Sequence, residues 1–435
     1  LFNVLLLLAF STALLNVIGR IKSDNNLIHK QGWSLIALVG LATTLLNPTF
    51  AQKIVLTSYA DTATAIVTGF AVILAWYTLE SISEGNRKGA RNSSIQLAMA
   101  FVVLINLKQA TFALFGLIVL SFLLAAYRDR SISFFTAFKA ITVASIPALC
   151  LYFTWRYHIF NELSGGEATF KPFSAWHLQH IHHILLQMLI TLMKKGYYLL
   201  LLIIILALSI RAFWNCEKPP DRFFLLSGSL ILGYNVFLLV IYISSFGEAD
   251  ALRVASFWRY NMHLGPVIIA ASVVWLFVFF QQFIYGKSSL LKLYWVPIVL
   301  FIFAPFVFAK KLRFDLDPMI QHYRNVGGEL SKHISPNSEY VILDPKGTGE
   351  SYNITTYEMN DFAKPMGYLA AFHKIDSNAI DTLFADRKLK FLMIFSLSPE
   401  IKNAFSVKLR DDESQLLERK KNKWVIVARW PSPKN

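Results

Sequence analysis

Charge is scarce in these 435 residues: Asp, Glu, Lys and Arg make up 16%, against about 25% in an ordinary soluble domain. That scarcity excludes a water-soluble globular enzyme. It also excludes a disordered chain, which stays unfolded by carrying much charge and little apolar bulk. Acidic residues are scarcer than basic ones, 27 against 42, for a formal net charge of +15. On a soluble protein that excess would point to nucleic acid. Here the basic residues sit mostly in short loops and a tail, and no basic face is separable from them, so nucleic acid is not expected as a partner. Cysteine is nearly missing. Cys150 lies in an apolar run and Cys216 in a short polar loop, so neither a disulfide nor a thiolate metal site is expected. Also missing are a His-Glu-x-x-His pair, a Ser-His-Asp order, a dinucleotide fingerprint and the phosphate loop G-x-x-x-x-G-K-[ST]. Gly347 and Gly349, in Asp344–Glu350, read as a strand-ending turn. There is no internal repeat and no low-complexity tract.

What is present is apolar bulk. Hydrophobic residues make up 55% of the chain, with 36 Phe, and the mean hydropathy is +0.47. A bilayer core asks for roughly 20 apolar residues per helix. Scanning for such runs gives ten candidate spans: Phe2–Ile18, Trp33–Leu46, Thr62–Leu79, Ile95–Leu107, Thr111–Ala126, Ala140–Tyr157, Tyr197–Phe213, Phe223–Ile243, Met262–Ile284 and Leu291–Ala309. Trp33–Leu46 and Ile95–Leu107 are short. Phe2–Ile18 lacks the basic leader and small-residue cleavage site of a signal peptide, so it reads as a span. The chain does not open on Met, which leads us to expect further sequence upstream of Leu1.

Basic residues set the orientation. Five alternate loops or their edges hold 14 of them: Arg20, Lys22 and Lys30; Arg87, Lys88 and Arg91; Arg128, Arg130 and Lys139; Arg211, Lys218 and Arg222; Lys287 and Lys292. The intervening, longer loops hold eight: Lys53, Lys108, Arg156, Lys171, Lys194, Lys195, Arg253 and Arg259. The first set is expected in the cytoplasm. The second set, Leu1 and the C-terminal tail are expected outside. The expected fold is an all-α polytopic bundle over residues 1–309, with an amphipathic outer loop at about 158–195, followed by a small extracytoplasmic α/β domain over 310–435. In that tail Asp317-Pro318 reads as a helix start. Met319, Ile320, Tyr323, Val326, Leu330 and Ile334 recur at helical spacing. Tyr340–Leu343 and Phe391–Phe395 read as buried strands, and Gln415–Glu418 with Trp424–Arg429 as a terminal hairpin.

An ionisable group near a span end is a candidate functional group, because hydrocarbon penalises it. Four outer positions qualify. Ser58-Tyr59-Ala60-Asp61-Thr62 opens a span; Asp61 reads either as an N-cap at the membrane surface, the somewhat better reading, or as an acidic group facing an aqueous cavity. Lys108, in the turn Asn106–Gln109, either snorkels to the interface or holds a phosphate as a point charge, with nothing to separate the two. His177, His180, His182 and His183 lie in an amphipathic segment where a solvated histidine face is favoured over a metal site. Glu248–Tyr260 gathers Glu248, Asp250, Arg253 and Arg259 at a span entrance. An aromatic and basic girdle explains Trp258 and Tyr260. It explains less well why Arg259 leads straight into an apolar helix. A guanidinium suits phosphate oxygens and can stabilise charge developing on a leaving group.

Tyr59-Ala60-Asp61 opening a span, Lys108-Gln109 before an apolar run, Phe153-Thr154-Trp155-Arg156 leading into a large outer loop, and Glu248–Tyr260 ending in Arg-Tyr together resemble bacterial GT-C integral-membrane glycosyltransferases, of the aminoarabinose-transferase and protein O-mannosyltransferase type. The likeness covers about Tyr59 to Ala309. It implies inverting transfer of a sugar, on the outer face of a bacterial plasma membrane, from a polyprenyl phosphate or diphosphate donor to a surface glycan, lipid or protein. By the same likeness Lys108 and Arg259 would contact the lipid-linked phosphate, with Arg253, Tyr260 and Tyr59 as further binding candidates. The family's base would lie in a first outer loop upstream of Leu1, which leaves Asp61 as a second acidic group. The motifs single out no cofactor; a divalent cation stays open. The histidine-rich loop departs from the family pattern. The competing reading is a transporter or lipid-linked glycan flippase. It predicts charges near the bilayer midplane and broken helices in matching halves; the sequence shows few of the former and no half-to-half likeness.

Overall fold

Long runs of Leu, Ile, Phe and Ala without proline or charge favour helix, and helix is what most of the chain forms. The computed structural model describes residues 2–22, 26–48, 60–108, 110–162, 172–284, 295–312, 317–347, 349–370, 389–405, 407–420 and 423–433. Contacts divide the chain into two compact units, Leu1–Leu312 and Arg313–Asn435.

The first unit is helical. Its elements are α1 (Phe2–Lys22), α2 (Asn26–Leu45), α3 (Asp61–Ser83), α4 (Arg87–Leu107), α5 (Thr111–Arg128), α6 (Phe134–Glu162), α7 (Ile181–Met193), α8 (Gly196–Trp214), α9 (Pro219–Ser244), α10 (Glu248–Leu252), α11 (Phe257–Asn261), α12 (Gly265–Ile284) and α13 (Val296–Leu312). Among the described residues eight helical stretches are long and apolar enough to cross a membrane. They cover eight of the ten expected spans. The apolar part of α2 is shorter, Gly32–Leu45, and Leu291–Ala309 begins outside the described residues and continues as α13. Length and composition are those of a multi-pass membrane protein.

α3 is the hub. It is apolar on every side, the pattern of a helix enclosed by others, and it packs against α1, α4, α5, α9 and α12. Nearly all of its side chains from Asp61 to Ser81 are buried. Its two carboxylates, Asp61 and Glu80, lie 19 positions apart, about 28 Å along the axis at 1.5 Å per residue, close to the thickness of a hydrocarbon core. Each therefore marks one end of the bundle. Small residues allow a close crossing between α8 and α9. A Cβ on Gly228 would stand 2.3 Å from the Ser209 Cβ, the close approach that small residues permit between membrane helices.

The second unit is a five-stranded sheet in the order β2-β1-β3-β4-β5, with β1 (Glu339–Asp344), β2 (Lys364–Ala370), β3 (Phe391–Ile394), β4 (Glu413–Lys420) and β5 (Lys423–Pro431). β1 pairs in parallel with β2 and β3; β3–β4 and β4–β5 are antiparallel. Alternate residues of β1 face two cores: Tyr340 and Ile342 with helix α14 (Pro318–Leu330), Val341 and Leu343 with helix α16 (Pro399–Ala404). Asp317 caps α14 by accepting from Met319 N at 2.9 Å. The sequence reading lacks β2 and helix α15 (Glu350–Met359). Pro365 and Gly367 mask β2 as a loop, and an edge position is where a sheet tolerates them.

His322 on α14 is buried, 8% exposed, with Nε2 2.8 Å from Ser414 Oγ. Burial holds its pKa below the ordinary 6.5. Above 6.5 the ring is neutral in folded and unfolded chains alike. Below 6.5 the unfolded chain takes the proton first, so stability falls until the folded ring is also protonated. The expected loss is at most about 1.4 kcal/mol per pH unit in that interval. Melting of the tail's sheet, followed by circular dichroism from pH 7.5 to 5, should drop accordingly, and His322→Gln should flatten the dependence.

Candidate anion site around Asp61

Three elements distant in sequence meet at the start of α3. Asp61 is the first helical residue; Ala60 occupies the cap position and makes no side-chain cap bond. The N-cap expectation for Asp61 is thus overturned. Its carboxylate reaches outward to other elements instead of back to its own helix. Oδ1 accepts from Lys108 Nζ at 2.5 Å and from His263 Nε2 at 3.0 Å; Oδ2 accepts from Arg259 Nε at 2.6 Å. A carboxylate can only accept, so Nε2 of His263 carries its proton toward Asp61. His263 Nδ1 lies 2.9 Å from Tyr234 Oη. Two full cations already face the carboxylate, so the neutral ring, receiving the Tyr234 proton at Nδ1, is the form that adds no third.

Each partner is held from behind. Lys108 follows α4 in extended backbone, and Thr111 Oγ1 sits 2.5 Å from the carbonyls of both Leu104 and Lys108, fixing that turn. Arg259 sits on α11, which begins after two left-handed residues, Val254 (φ 47°) and Ser256 (φ 60°). A β-branched residue at positive φ is a true outlier, and such strain persists only where the surroundings over-determine it. They do so here: Val254 is 3% exposed, and Tyr242 Oη donates to Ala255 O at 2.8 Å. Tyr198 Oη donates to Asn261 O at 3.2 Å. His177 and His180 bracket the same segment, at 3.1 Å from Phe246 O and 3.2 Å from Glu248 Oε1. Lys195 lies 4.7 Å from the centre of the Trp258 ring, and burial holds its ammonium below the usual lysine value.

Gly265 follows His263 by two residues and is close-packed. A Cβ there would lie 2.1 Å from Asn47 Cγ, and Asn47 Nδ2 donates to Met262 O at 3.1 Å. Gly265→Ala is therefore expected to displace Asn47 and cost about 1–3 kcal/mol. A lower melting temperature, restored by Asn47→Ala in the same chain, is the check.

The electrostatics point one way. Among the described residues one carboxylate faces two cations, an excess of positive charge in the cluster. Asp61 and His263 are enclosed, with side chains 1% and 2% exposed, while those of Lys108 and Arg259 keep 26% and 38% exposure. The excess charge is thus on the accessible groups, which is what an anion requires. Asp61, with both oxygens engaged by three donors, orients the cations and is poorly placed to take a proton. A divalent cation does not fit: it would meet net positive charge, and among the described residues no three His, Cys, Asp or Glu converge on a point.

Of the residues expected from sequence, the structure brings together Asp61, Lys108 and Arg259. Tyr260 neighbours them, half-buried, with its ring edge-on to Phe246 at 6.3 Å. Arg253 turns instead to Asp250, at 2.6 Å, and its side chain is 65% exposed. Tyr59 lies outside the described residues. His263 and Tyr234 were missed because both sit inside apolar runs. The spacing of Arg259 and His263, i and i+4, was the available signal. The chain matches no family model, no curated protein and no solved structure.

Proposed function

We propose that this chain is a membrane glycosyltransferase of the GT-C kind, which moves a sugar from a polyprenyl-phosphate or diphosphate donor to a surface glycan, lipid or protein. The observation that carries this reading is the accessible excess positive charge of Lys108 and Arg259 around the buried Asp61. It lies at one end of the bundle, where an isoprenoid chain can stay among apolar helices while its phosphate meets cations. The acceptor hydroxyl would attack the anomeric carbon. The bond from that carbon to the phosphate oxygen would break, leaving its electron pair on the phosphate. Arg259 and Lys108 would stabilise that charge, with Asp61, His263 and Tyr234 fixing their positions. The hydroxyl proton goes to a group outside this cluster, since Asp61 is spent on its three donors. The basic-residue asymmetry of the loops supports an outward-facing site in a bacterial plasma membrane.

The test uses purified protein in detergent with a polyprenyl-phosphate sugar labelled in the sugar. Release of unlabelled polyprenyl phosphate, with label on an acceptor or in water, is the expected result. Donor movement across reconstituted vesicles without bond cleavage would overturn the reading in favour of a flippase.

A further inference from the structure

A second polar place lies at the opposite end of α3, where the function above has no use for it. α1, α3 and α4 enclose a groove of about 610 Å³. Its lining includes Thr12, Asn16 and Arg20 of α1, Tyr77 of α3, and Asn92 and Gln96 of α4. Both α1 and α4 contribute membrane-length apolar stretches, Val4–Ile21 and Arg87–Leu107. Asn16, Asn92 and Gln96 are nevertheless exposed, and their amides make no hydrogen bond among the described residues. Hydrocarbon penalises an amide left without a partner. A polar occupant resolves this; a lipid tail does not.

The lining is graded with depth. Arg20 stands near the end of α1, Asn16 is one turn deeper, and Thr12 one turn deeper again, steps of about 6 Å each. Asn92 and Gln96 repeat that step on α4. Below them the walls become apolar, with Ala9, Phe70, Ile73 and Leu74. At the rim, Arg20 uses one nitrogen on Glu84, at 2.5 Å, and lies over the Tyr77 ring at 5.4 Å. Its other N–H groups have no partner among the described residues. Arg87, Lys88 and Arg91 are exposed on the first turns of α4 at the same end, with Glu84 as the nearby countercharge. Cation, amide and apolar wall, in that order, complement a phosphate, an ester and an acyl chain.

We propose that this groove is a binding site for one anionic phospholipid. Its phosphate sits at Arg20, its glycerol esters accept from Asn16, Asn92 and Gln96, and one acyl chain runs down toward Phe70. A second transmembrane helix is a poorer occupant, because the rim cations would stay uncompensated. The inference rests on the membrane-spanning part of the reading above and not on glycosyl transfer. It is tested without any sugar donor, so either can fail alone.

The full chain is purified in a mild detergent, offered equal amounts of phosphatidylglycerol and phosphatidylcholine, and examined by native mass spectrometry. One retained phosphatidylglycerol per chain is expected, favoured about tenfold over phosphatidylcholine by the rim charges. The paired change Asn92→Leu and Gln96→Leu should lower that retention about tenfold, with the melting temperature in lipid-free detergent unchanged. Should the pair fold poorly, the wild-type chain still decides: phosphatidylglycerol should raise its melting temperature and phosphatidylcholine should not. Equal retention of the two lipids, retention unaffected by the pair, or a dimer that the pair converts to monomer would each overturn the proposal. The last outcome would assign the groove to a second copy of the chain.

Discussion

Arg259→Ala is expected to lower kcat of sugar transfer by about 10²–10³, the loss seen when one preorganised donor to a developing oxyanion is removed. The reason is geometric. Arg259 Nε is fixed on Asp61, so the guanidinium is held in one orientation, with its side chain 38% exposed. If the contact strengthens as the leaving group gains charge, kcat falls while KM changes little; a contact equally strong in the ground state would raise KM instead. Arg259→Lys should recover only a part, because an ammonium lacks the planar fork. Lys108→Ala should act in the same direction. The double variant should lose less than the two single losses combined, since both cations are organised by one carboxylate and neighbours in one network do not add. Asp61→Asn separates positioning from charge balance. It leaves two cations facing a neutral amide, so anion binding should tighten while kcat drops through disorder of Arg259. An Arg259→Ala enzyme with unchanged turnover would reduce the residue to an interfacial anchor.

The cluster was legible in sequence to the extent that charge at a span end is anomalous. Asp61, Lys108 and Arg259 each interrupt apolar surroundings where hydrocarbon resists them, and that penalty is local enough to read one residue at a time. What could not be read is which charges meet. Arg253 stood as a weaker candidate beside Arg259, and the structure shows why it stays outside: Asp250, three residues before it on the same short stretch, captures it. His263 and Tyr234 were hidden for the opposite reason: a lone polar atom inside an apolar helix changes mean hydropathy little. It becomes visible only when packing places Nδ1 against Oη. The helices themselves were the easy part, because apolar runs in a membrane protein leave few alternatives. In the tail, β1, β3 and the β4–β5 hairpin show in their apolar or alternating runs. β2 does not, since its identity comes from pairing with β1.

The largest effect on stability is expected far from Asp61, at the other end of α3. Arg222 on α9 is 4% exposed and faces two carboxylates as buried as itself, Glu80 at 1% and Asp129 at 2%. All five of its N–H groups are used. Nε bonds Asp129, Nη1 bonds both Glu80 oxygens at 3.0 and 2.9 Å, and Nη2 bonds Ser131 Oγ at 2.9 Å and Glu217 O at 3.0 Å. Ser131 in turn donates to Asp129 from both N and Oγ, at 2.8 and 2.7 Å. One guanidinium thus ties α3, the α5–α6 turn and the α8–α9 turn. Cys216 lies in the latter, and burial together with these carboxylates pushes its thiol up to about 12, so it should resist alkylation in the native bundle. Arg222→Ala removes the cation held between two enclosed carboxylates, a change that costs about 3–5 kcal/mol where one partner of a buried pair is deleted. The melting temperature in detergent should collapse, and Cys216 should become reactive. Arg222→Lys should restore only part of the loss. The decisive comparison is the triple change Arg222→Met, Glu80→Gln and Asp129→Asn. If the loss arises from stranded charge, removing all three charges should recover most of it. If it arises from lost packing, the triple variant should be no better than Arg222→Ala, and the ion network would count as filler between helices that hold together without it.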